Sequence, residues 1–531
     1  MPRHCPKEHP FKTPPELTAG APPGPYRVAI IGAGPIGLAM AIDLALQGIA
    51  SVVLDDNNQV SSGSRAICWA KRTLEIFDRL GIGDKMLEKG VTWKIGRLFH
   101  GEKEVYSFDL LPDDAHKMPA FVNLQQYYVE EYLLERAADF EDLIDIRWLS
   151  RVMREENRED SVTLHIETPE GDYSLNAEYA IACDGARSSI RARMGLKFEG
   201  QHFEERFLIT DIEMEEPPFE SAAPERWFWF RPPFHSGHSA LLHKQPDNIY
   251  RIDLQLGPDA DPVAEVALDR VLPRIRAIVG DRPFAVDWVS VYSFTCAMLD
   301  QFVHGRMIFA GDSAHVVSPF GARGGNGGIQ DVDNLGWKLA AILKGKAGPS
   351  LLASYDEERR HGARENIKNS ARATDFMTPK SDMGMIFRNE ILNLAGDLPF
   401  ARKLVNSGRL SVPCSLAGMA LQTAAKIDAP IAPGLPCPDA PLQGGGWLLN
   451  HLGGEFVLLA TGKSLPRVEN IKCLPMSREE AVISLYGADL LYLIRPDQHV
   501  VGVFASDTEA GVIAGAMVRA LGFAVEKEKV A

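Results

Sequence analysis

The chain has 531 residues, of which 45% are hydrophobic, so it can bury two or three cores and is neither a disordered nor a fibrous protein. Acidic side chains outnumber basic ones by 71 to 56, and a net charge of −15 without a basic patch excludes nucleic acid and anionic membranes as partners. The seven cysteines are odd in number and contain no CxxC pair, which favours the cytoplasm over a disulfide framework or a zinc site.

The first 25 residues predict a disordered leader. They contain eight prolines and several charges but no apolar core of a signal peptide. This tail contains three potential metal ligands, His4, Cys5 and His9. Two or three ligands on a proline-rich tail do not complete a metal site. The longest nearly uncharged stretch, Val28 to Ile42, is 15 residues and too short to span a bilayer.

The ordered chain begins with a strand–helix–strand unit. A buried strand starts at Arg27, a glycine-rich turn and an apolar helix follow, and a second strand covers residues 51–54. In the turn, the first glycine permits the tight bend, the second lets a pyrophosphate approach, and the third lets helix and strand pack closely. These glycines are Gly32, Gly34 and Gly37.

An acidic residue stands where a dinucleotide ribose needs a hydrogen-bond acceptor. Asp55 ends the second strand, 23 residues after Gly32, and Asp56 is the alternative. In this context the turn indicates dinucleotide binding rather than a glycine turn that serves packing alone.

The pattern of predicted secondary structure changes in the middle of the chain. A strand ends at Cys183-Asp184-Gly185, and residues 200–291 then show short strand-like runs with turn residues between them. Residues 250–256 alternate apolar and polar side chains, as in a strand with one polar face. We expect a sheet domain inserted into the nucleotide-binding domain.

A second strand-to-loop junction follows the inserted segment. The strand at residues 307–310 ends in Gly311-Asp312, which places a carboxylate where a polyol can donate hydrogen bonds to it. The glycine-dense loop up to Gly328 then frees backbone N–H groups for a ring carbonyl at a helix N-terminus. Amphipathic helices are expected near 351–374 and 383–406, and five prolines between residues 430 and 441 mark the start of a small α/β domain.

The ordered set of these motifs resembles the flavin-dependent aromatic hydroxylases, single-component FAD monooxygenases of the para-hydroxybenzoate hydroxylase type. The set comprises GxGxxG, the central Asp-Gly, the late Gly-Asp and the Pro-Phe-Gly-Ala-Arg-Gly-Gly-Asn loop, and it spans residues 27–375. The phenolic branch of that family, which includes phenol hydroxylase and 3-(3-hydroxyphenyl)propionate hydroxylase, also carries a thioredoxin-like C-terminal domain. Residues 433–441 and 493–497 are similar to motifs of that domain, here without CxxC.

The resemblance implies a role for individual residues. Besides the three glycines and Asp55, the cofactor contacts would be Arg65 near the pyrophosphate, Gln125 and Asp312 at the ribityl chain, and Asp184, which the resemblance links to binding of both FAD and the nicotinamide nucleotide. They would also include Gly311 in the Gly-Asp motif, Pro319 beside the flavin, and Gly325 and Asn326 as backbone donors to the pyrimidine ring.

The resemblance also implies a reaction. NADH or NADPH would reduce the flavin, and O2 would then give a C4a-hydroperoxide that hydroxylates a small phenolic substrate. No second dinucleotide fingerprint is present, so the nicotinamide nucleotide would bind transiently. A base is expected to deprotonate the phenol. The candidates are His235, His238, His243, Tyr250, Arg251 and Asp253, of which Arg251 is preferred because it aligns with a family arginine.

Residues outside the cofactor motifs leave some questions open. Residues 377–387 would line the pocket or be core, and His315 is expected to be structural. The run from Trp227 to Pro232 is similar to a halogenase signature but has arginine for isoleucine, so packing is the simpler interpretation. A halogenase and a non-catalytic FAD sensor remain alternatives, and a homodimer is expected from the relatives.

The predicted architecture is therefore α/β. A Rossmann-like FAD-binding domain (26–199 and 292–375) carries the inserted, mostly β substrate domain (200–291). A helical linker (376–429) and a thioredoxin-like domain (430–531) follow.

Overall fold

The computed structural model describes residues 4–18, 25–63, 65–110, 115–219, 223–235, 238–319, 321–379, 381–405, 412–463 and 465–523, with only the backbone described at 202–204. The α-helices are α1 (Pro15–Thr18), α2 (Pro35–Leu46), α3 (Lys71–Leu80), α4 (Gly83–Lys89), α5 (Gln126–Ala137), α6 (Ser189–Arg193), α7 (Pro262–Glu265), α8 (Leu268–Val279), α9 (Gly324–Leu343), α10 (Leu351–Met377), α11 (Asp382–Ala395), α12 (Pro399–Leu404), α13 (Glu480–Tyr486) and α14 (Ala510–Ala520). The strands are β1 (Tyr26–Ile31), β2 (Ser51–Leu54), β3 (Cys68–Ala70), β4 (Val91–Thr92), β5 (Ile95–His100), β6 (Lys103–Asp109), β7 (Phe121–Asn123), β8 (Ile144–Arg147), β9 (Arg151–Asn157), β10 (Val162–Thr168), β11 (Gly171–Ala182), β12 (Glu199–Glu213), β13 (Glu225–Phe230), β14 (Ala240–Lys244), β15 (Ile249–Gln255), β16 (Ala285–Met298), β17 (Val303–His304), β18 (Met307–Phe309), β19 (His315–Val316), β20 (Val457–Ala460), β21 (Lys472–Pro475), β22 (Leu490–Ile494) and β23 (Val500–Ala505).

The first domain is built on a largely parallel sheet with the strand order β17-β18-β11-β1-β2-β8, continued from β11 by β10 and β9. The pairs β11–β18, β1–β11, β1–β2 and β2–β8 are parallel. Strands buried on both faces are continuous apolar runs, and all of residues 28–31 and 51–54 are buried. Helices α2 and α9 pack against each other beside β1, which confirms the predicted Rossmann-like domain.

The inserted sheet has the order β19-β16-β12-β15-β14-β13-β5-β6 and is antiparallel except at β13–β5. The hairpin formed by β5 and β6 belongs to this sheet, although the sequence analysis assigned these residues to the first domain. The partner of β5 is β13, where Ile95 pairs with Glu225. A local pattern identifies a strand but not a partner 130 residues away, so this boundary was wrong.

The two faces of the inserted sheet have different environments. On the outer face, Leu242, Tyr250 and Ile252 form a core with Val271 and Ile275 of α8. The inner face is held to the first domain, for example by the Asn123 side-chain amide, which donates to the Lys244 carbonyl over 2.8 Å. The inner face is therefore the one that meets the nucleotide-binding domain.

Residues 4–18, here called the N-terminal strap, are folded against the first domain. The His9 N–H donates to the Asn58 carbonyl over 2.7 Å, and its ring stacks on Trp148 with 4.7 Å between centroids. Glu16 pairs with buried Arg147 at 2.9 Å. The prediction of a disordered leader is wrong here, because stacking and a buried ion pair hold the segment; residues 1–3 and 19–24 lie outside the described residues.

The linker region begins with helices but does not form one long helix over 383–406. Helix α11 ends at Ala395, and α12 begins at Pro399, whose ring cannot continue a preceding helix. Residues 377–387 differ in solvent exposure. Met377 is buried, whereas the side chains of Met383 and Phe387 are more than half exposed.

The C-terminal domain has a four-stranded mixed sheet, β21-β20-β22-β23, with helices α13 and α14, in agreement with the predicted thioredoxin-like fold. It docks on the first domain through buried ion pairs, including Arg495 with Glu358 at 2.7 Å. Every cysteine of the sequence is a free thiol. Within the described ranges, each helix is either too short or too polar to serve as a membrane-spanning segment.

Candidate functional site

The glycine turn between β1 and α2 leaves open space at one position only. A Cβ atom on Gly32, whose φ is +107°, would lie 2.6 Å from the Cys183 carbonyl oxygen, and one on Gly37 would lie 1.9 Å from the Gly32 oxygen. A Cβ atom on Gly34 would meet nothing within 4 Å. Gly32 and Gly37 therefore serve backbone packing, whereas Gly34 borders a space at the helix N-terminus that a phosphate group fits.

Asp55 is fixed beside this turn. Its carboxylate accepts hydrogen bonds from the Ala33 N–H over 2.6 Å and from the Asn57 N–H over 2.8 Å. Burial raises the pKa of Asp55, and these two hydrogen bonds oppose the increase. The alternative, Asp56, is exposed and lies 3.5 Å from Arg151, so Asp55 is the acid positioned at the turn.

Asp312 occupies a recess after β18. Its side chain is solvent-exposed, yet surrounding protein atoms raise its pKa by desolvation, as on the wall of a cleft. The positive charge of Arg65 opposes that pKa shift, so Arg65, itself exposed, lies on the same side of the molecule. The roles of Asp312 at the ribityl chain and of Arg65 near the pyrophosphate stay predictions.

A buried cluster that the sequence analysis missed supports the Asp312 loop. Asp331 accepts hydrogen bonds from the Gly311 N–H at 2.9 Å, from His315 Nε2 at 2.7 Å and from Arg359 Nε at 2.6 Å. Burial would raise the pKa of Asp331, but its interactions with His315 and Arg359 hold this pKa below its usual value. His315 is structural, as expected. The sequence carries no distinct signal for Asp331, because Asp333 and several polar residues lie on the same helix.

The first turn of α9 presents backbone N–H groups. The side chain of Asn326 is fully engaged: it accepts from the Ala70 N–H at 2.9 Å and donates to the carbonyls of Cys68 and Ala322 at 2.8 and 2.6 Å. Only its backbone N–H, like that of Gly325, is available to a ligand, because the first N–H groups of a helix have no intrahelical partner. Pro319 is exposed in the preceding loop, and Phe320 lies outside the described residues.

Two other predicted contacts have unpaired buried oxygens. The Gln125 side chain donates to the Pro246 carbonyl at 3.5 Å, while its Oε1 atom has no partner within the described chain. Asp184 accepts from the Ile190 N–H at 3.2 Å, and its Oδ1 atom likewise has no partner there. Burial raises the pKa of Asp184. Unpaired buried acceptors are costly, so a bound water molecule or a ligand donor at these two oxygens would stabilise the protein.

These features together fit FAD. The open space at Gly34 would take the pyrophosphate, Asp55 the ribose, Asp312 and Gln125 the ribityl chain, and the first turn of α9 the pyrimidine ring.

The geometry does not support Arg251 as a base. Its guanidinium donates to both Asp211 oxygens at 2.8 and 2.9 Å and to the Arg65 carbonyl at 2.9 Å. Asp211 keeps the pKa of Arg251 above its usual value, and a guanidinium cannot accept a proton. Arg251 instead joins the inner face of the inserted sheet to the cofactor side of the first domain.

The other base candidates lie in different places. Tyr250 faces the outer core, and His235 contacts the Gln255 carbonyl through Nε2. His238 lies near Gly257, while His243 and Asp253 belong to the inner face. Trp227 and Trp229 pack with each other and with Phe99, which supports the packing interpretation over the halogenase signature.

Comparisons with known proteins agree with this site. The family model described as "FAD binding domain" matches residues 25–370. A 3-(3-hydroxy-phenyl)propionate/3-hydroxycinnamic acid hydroxylase of Mycolicibacterium smegmatis is 30% identical over 72% of this chain and 67% of its own length. For several other hydroxylases with the same description, the match includes 64–65% of the relative's own length. This chain therefore spans about two thirds of the length of these relatives.

Two further similarities extend over almost the whole chain. A flavin-dependent monooxygenase of Mycobacteroides abscessus is 29% identical over 91% of this chain and 97% of its own length. The crystal structure of the flavin-dependent monooxygenase PieE, in complex with FAD and substrate, has a TM-score of 0.77 at 22% identity, covering 94% of this chain and all of that one. The chain belongs to the FAD binding domain family, among its flavin-dependent aromatic monooxygenases.

Proposed function

We propose that this protein hydroxylates a small phenolic compound, using FAD as its cofactor, NADH or NADPH as the electron donor and O2 as the oxidant. The observation that supports the proposal is the proximity of three elements: Gly311, next to Asp312, and Gly328, in the first turns of α9, both approach Ile36 in the first turn of α2, beside the open glycine turn. In the balanced reaction, an aromatic C–H, O2, NAD(P)H and a proton give an aromatic C–OH, water and NAD(P)+.

The chain's own residues bind and orient the cofactor. FAD, when bound, supplies the redox chemistry between the nicotinamide nucleotide and O2. The N-terminus of α2 holds the negative pyrophosphate through its backbone N–H groups. The recessed carboxylate of Asp312 accepts hydrogen bonds from the ribityl hydroxyls, and Pro319 stays the predicted neighbour of the flavin ring.

The inner face of the inserted sheet is the proposed substrate wall. It combines apolar side chains such as Phe228 and Leu241 with charged groups such as Arg226 and Asp253. This mixture suits an aromatic ring that carries a hydroxyl group. The M. smegmatis relative is named for 3-(3-hydroxyphenyl)propionate, and we propose a phenol of that kind as the substrate class.

We also propose a cytoplasmic homodimer. Free thiols at every cysteine suit a reducing compartment. Apolar side chains exposed on α11 and α12 would be covered by a second copy: Met383, Ile386, Phe387, Phe400 and Leu404. Light scattering of the purified protein should give twice the chain mass of 58.4 kDa.

The direct test of the reaction uses isotopically labelled oxygen. Purified protein loaded with FAD is mixed with 3-(3-hydroxyphenyl)propionate, NADH or NADPH and ¹⁸O2. The proposal predicts substrate-stimulated oxidation of the nicotinamide nucleotide and a product that carries one ¹⁸O atom. A panel of phenols that neither stimulates this oxidation nor gains the label would contradict it.

A further inference from the structure

Asp253 has apolar neighbours on the two strands that pair with β15, in one row on the inner face of the inserted sheet. Residues directly opposite each other on neighbouring strands share a face. The pairing of β12, β15, β14 and β13 places in one row Ile209, Asp253, Leu241 and Phe228. Apolar side chains beside one carboxylate are complementary to an aromatic ring with one acidic hydroxyl.

One oxygen of the Asp253 carboxylate lacks a hydrogen bond that would normally stabilise a buried charge. Its Oδ1 atom is buried and, within the described chain, has no hydrogen-bond partner. Burial of a carboxylate without hydrogen bonds is unfavourable and is retained mainly where the group has a function. The neighbouring Asp211, in contrast, has both oxygens bonded to Arg251.

The charged groups around Asp253 come from three other strands and its own. Arg251 precedes it by two residues on β15, Asp211 faces it from β12, Arg226 from β13, and the Cys68 thiol from β3. Burial raises the pKa of Asp253 to about 6, because desolvation and Asp211 outweigh the two arginines. Asp253 is therefore ionised near neutral pH and is a stronger base than an ordinary aspartate.

The inner face that carries Asp253 contacts the part of the first domain that adjoins the expected flavin ring. The Cys68 carbonyl accepts a hydrogen bond from Asn326, in the first turn of α9, over 2.8 Å. Cys68 thus lies between that turn and the inner face of the inserted sheet, where its Sγ atom is 3.9 Å from His243 Nδ1. The other inner-face candidate, His243, is buried between Arg226 and Arg251, and burial with these two cations holds its pKa well below 6.5, so it is a poor proton acceptor.

We propose, resting on the function proposed above, that Asp253 is the base that accepts the proton of the phenolic hydroxyl group. The O–H bond breaks, its electron pair stays on the ring oxygen, and the proton moves to the Asp253 carboxylate and then to water. The resulting phenolate donates electron density into the ring, which makes its ortho and para carbons more reactive toward an electrophilic oxygen atom.

The test compares Asp253→Asn, Asp253→Glu and the control Asp259→Asn, which changes an exposed aspartate six residues further along the chain. Each protein is loaded with FAD and assayed with 3-(3-hydroxyphenyl)propionate from pH 5 to 9. We expect Asp253→Asn to lower kcat for hydroxylation about 100-fold or more, with KM changed far less. Asp253→Glu should restore part of kcat, and Asp259→Asn should match the wild type.

The pH profile separates a base from a structural residue. Wild-type kcat/KM should fall below about pH 6, where Asp253 becomes protonated. In Asp253→Asn this limb should be replaced by a rate that rises with pH as the free phenol ionises. Asp253→Asn should also unfold at an equal or higher temperature than the wild type at pH 8, since an unpaired buried charge is removed.

Two outcomes distinguish the claims. If the wild type hydroxylates the phenol and Asp253→Asn keeps its rate or its acidic limb, this inference is overturned while the proposed function stands. If the wild type hydroxylates no phenol, the proposed function and this inference are both overturned.

Discussion

Single carboxylates define most of the proposed chemistry. Burial raises the pKa of Asp55, Asp184 and Asp312, the three acids expected to line the cofactor cleft. Each carboxylate would gain hydrogen bonds from hydroxyl groups of the bound cofactor, and such bonds stabilise the ionised form. The cleft therefore carries a local electrostatic cost that a polyol-containing cofactor would reduce.

The two glycines Gly34 and Gly37 give a matched pair of substitutions. Gly34→Val should leave the protein folded, with a loss of about 1 kcal/mol at the helix N-cap, because its Cβ would enter open space. It should weaken FAD binding by roughly tenfold to a hundredfold through overlap with the cofactor. Fluorescence titration with FAD measures this loss.

Gly37→Ala is the control, because it should lower the stability of the fold rather than only the affinity for FAD. Its Cβ would lie 1.9 Å from the Gly32 oxygen, so the backbone must move. We expect a loss of about 3 kcal/mol or more in the free energy of unfolding. If Gly34→Val binds FAD as tightly as the wild type, the open space at Gly34 is not the pyrophosphate site.

Asp312 should bind the cofactor rather than support the fold. Because it is exposed in its recess, Asp312→Ala should unfold at nearly the wild-type temperature. Loss of a charged hydrogen-bond acceptor should weaken FAD binding by about 1.5–3 kcal/mol, and Asp312→Asn should lose less because one acceptor remains. A fully yellow Asp312→Ala protein after purification would refute the ribityl assignment.

At the residue scale, the sequence predicted groups whose role depends on local spacing. Gly32, Gly37 and Asp55 lie within one strand–turn–strand unit, so the packing of the two glycines and the position of Asp55 beside the turn could be predicted. The engagement of Arg251 by Asp211 depends on the pairing of β12 with β15, which a single sequence does not reveal.

The N-terminal strap is an element whose contacts are mainly ionic and aromatic. Glu16 accepts hydrogen bonds from Tyr26 and Arg147, with 2.7 and 2.9 Å between the heavy atoms. Burial and Glu16 raise the pKa of Tyr26 to about 12, so Tyr26 remains a donor at all physiological pH values. The strap is thereby joined to the edge of the parallel sheet.

Removing the Glu16 carboxylate should loosen this element. Glu16→Ala should lower the free energy of unfolding by about 1–3 kcal/mol, because buried Arg147 loses a charged partner. Glu8→Ala, at an exposed strap position, should have little effect. Equal urea midpoints for Glu16→Ala and the wild type would show that the strap does not contribute to stability.

At the element scale, prediction succeeded where neighbours in sequence are neighbours in space. The unit β1-α2-β2 was predicted because its parts are consecutive. The hairpin β5–β6 was misassigned, because its partner β13 follows more than 120 residues later. The strap was misjudged because a proline-rich composition indicates disorder, whereas Trp148 and Arg147 supply contacts for it from distant elements.

The whole molecule is held together by buried charges between the first and C-terminal domains. Glu358 of α10 contacts Arg495 and Lys338, both at 2.7 Å and all fully buried. Arg72 of α3 donates to Asp333 at 2.7 Å and to the Asp497 carbonyl at 2.9 Å. Such pairs are strongly destabilising when one partner is removed, since the other charge stays buried.

Glu358→Gln should therefore destabilise the protein by about 3–5 kcal/mol at pH 7. Arg495 and Lys338 hold the pKa of Glu358 well below its usual value. A depressed pKa contributes stability above the unfolded-state pKa of about 4.3 and loses it as pH falls toward the folded-state value. The difference in unfolding free energy should thus be constant from pH 7 to about 5 and shrink below about pH 4.

Exposed Glu357 provides the control, and Glu357→Gln should unfold like the wild type at every pH. A Glu358→Gln protein as stable as this control would contradict the role assigned to the buried charges. The sequence predicted the existence of the C-terminal domain from its prolines and strands, but it could not predict this docking, which joins residues more than 130 positions apart.

FAD titration of the cofactor-free wild-type protein tests the central claim most directly. The account predicts that one FAD binds per chain, with quenching of flavin fluorescence, and that Gly34→Val and Asp312→Ala both weaken this binding while remaining folded. A wild-type protein that is folded, colourless and unable to bind added FAD would contradict it.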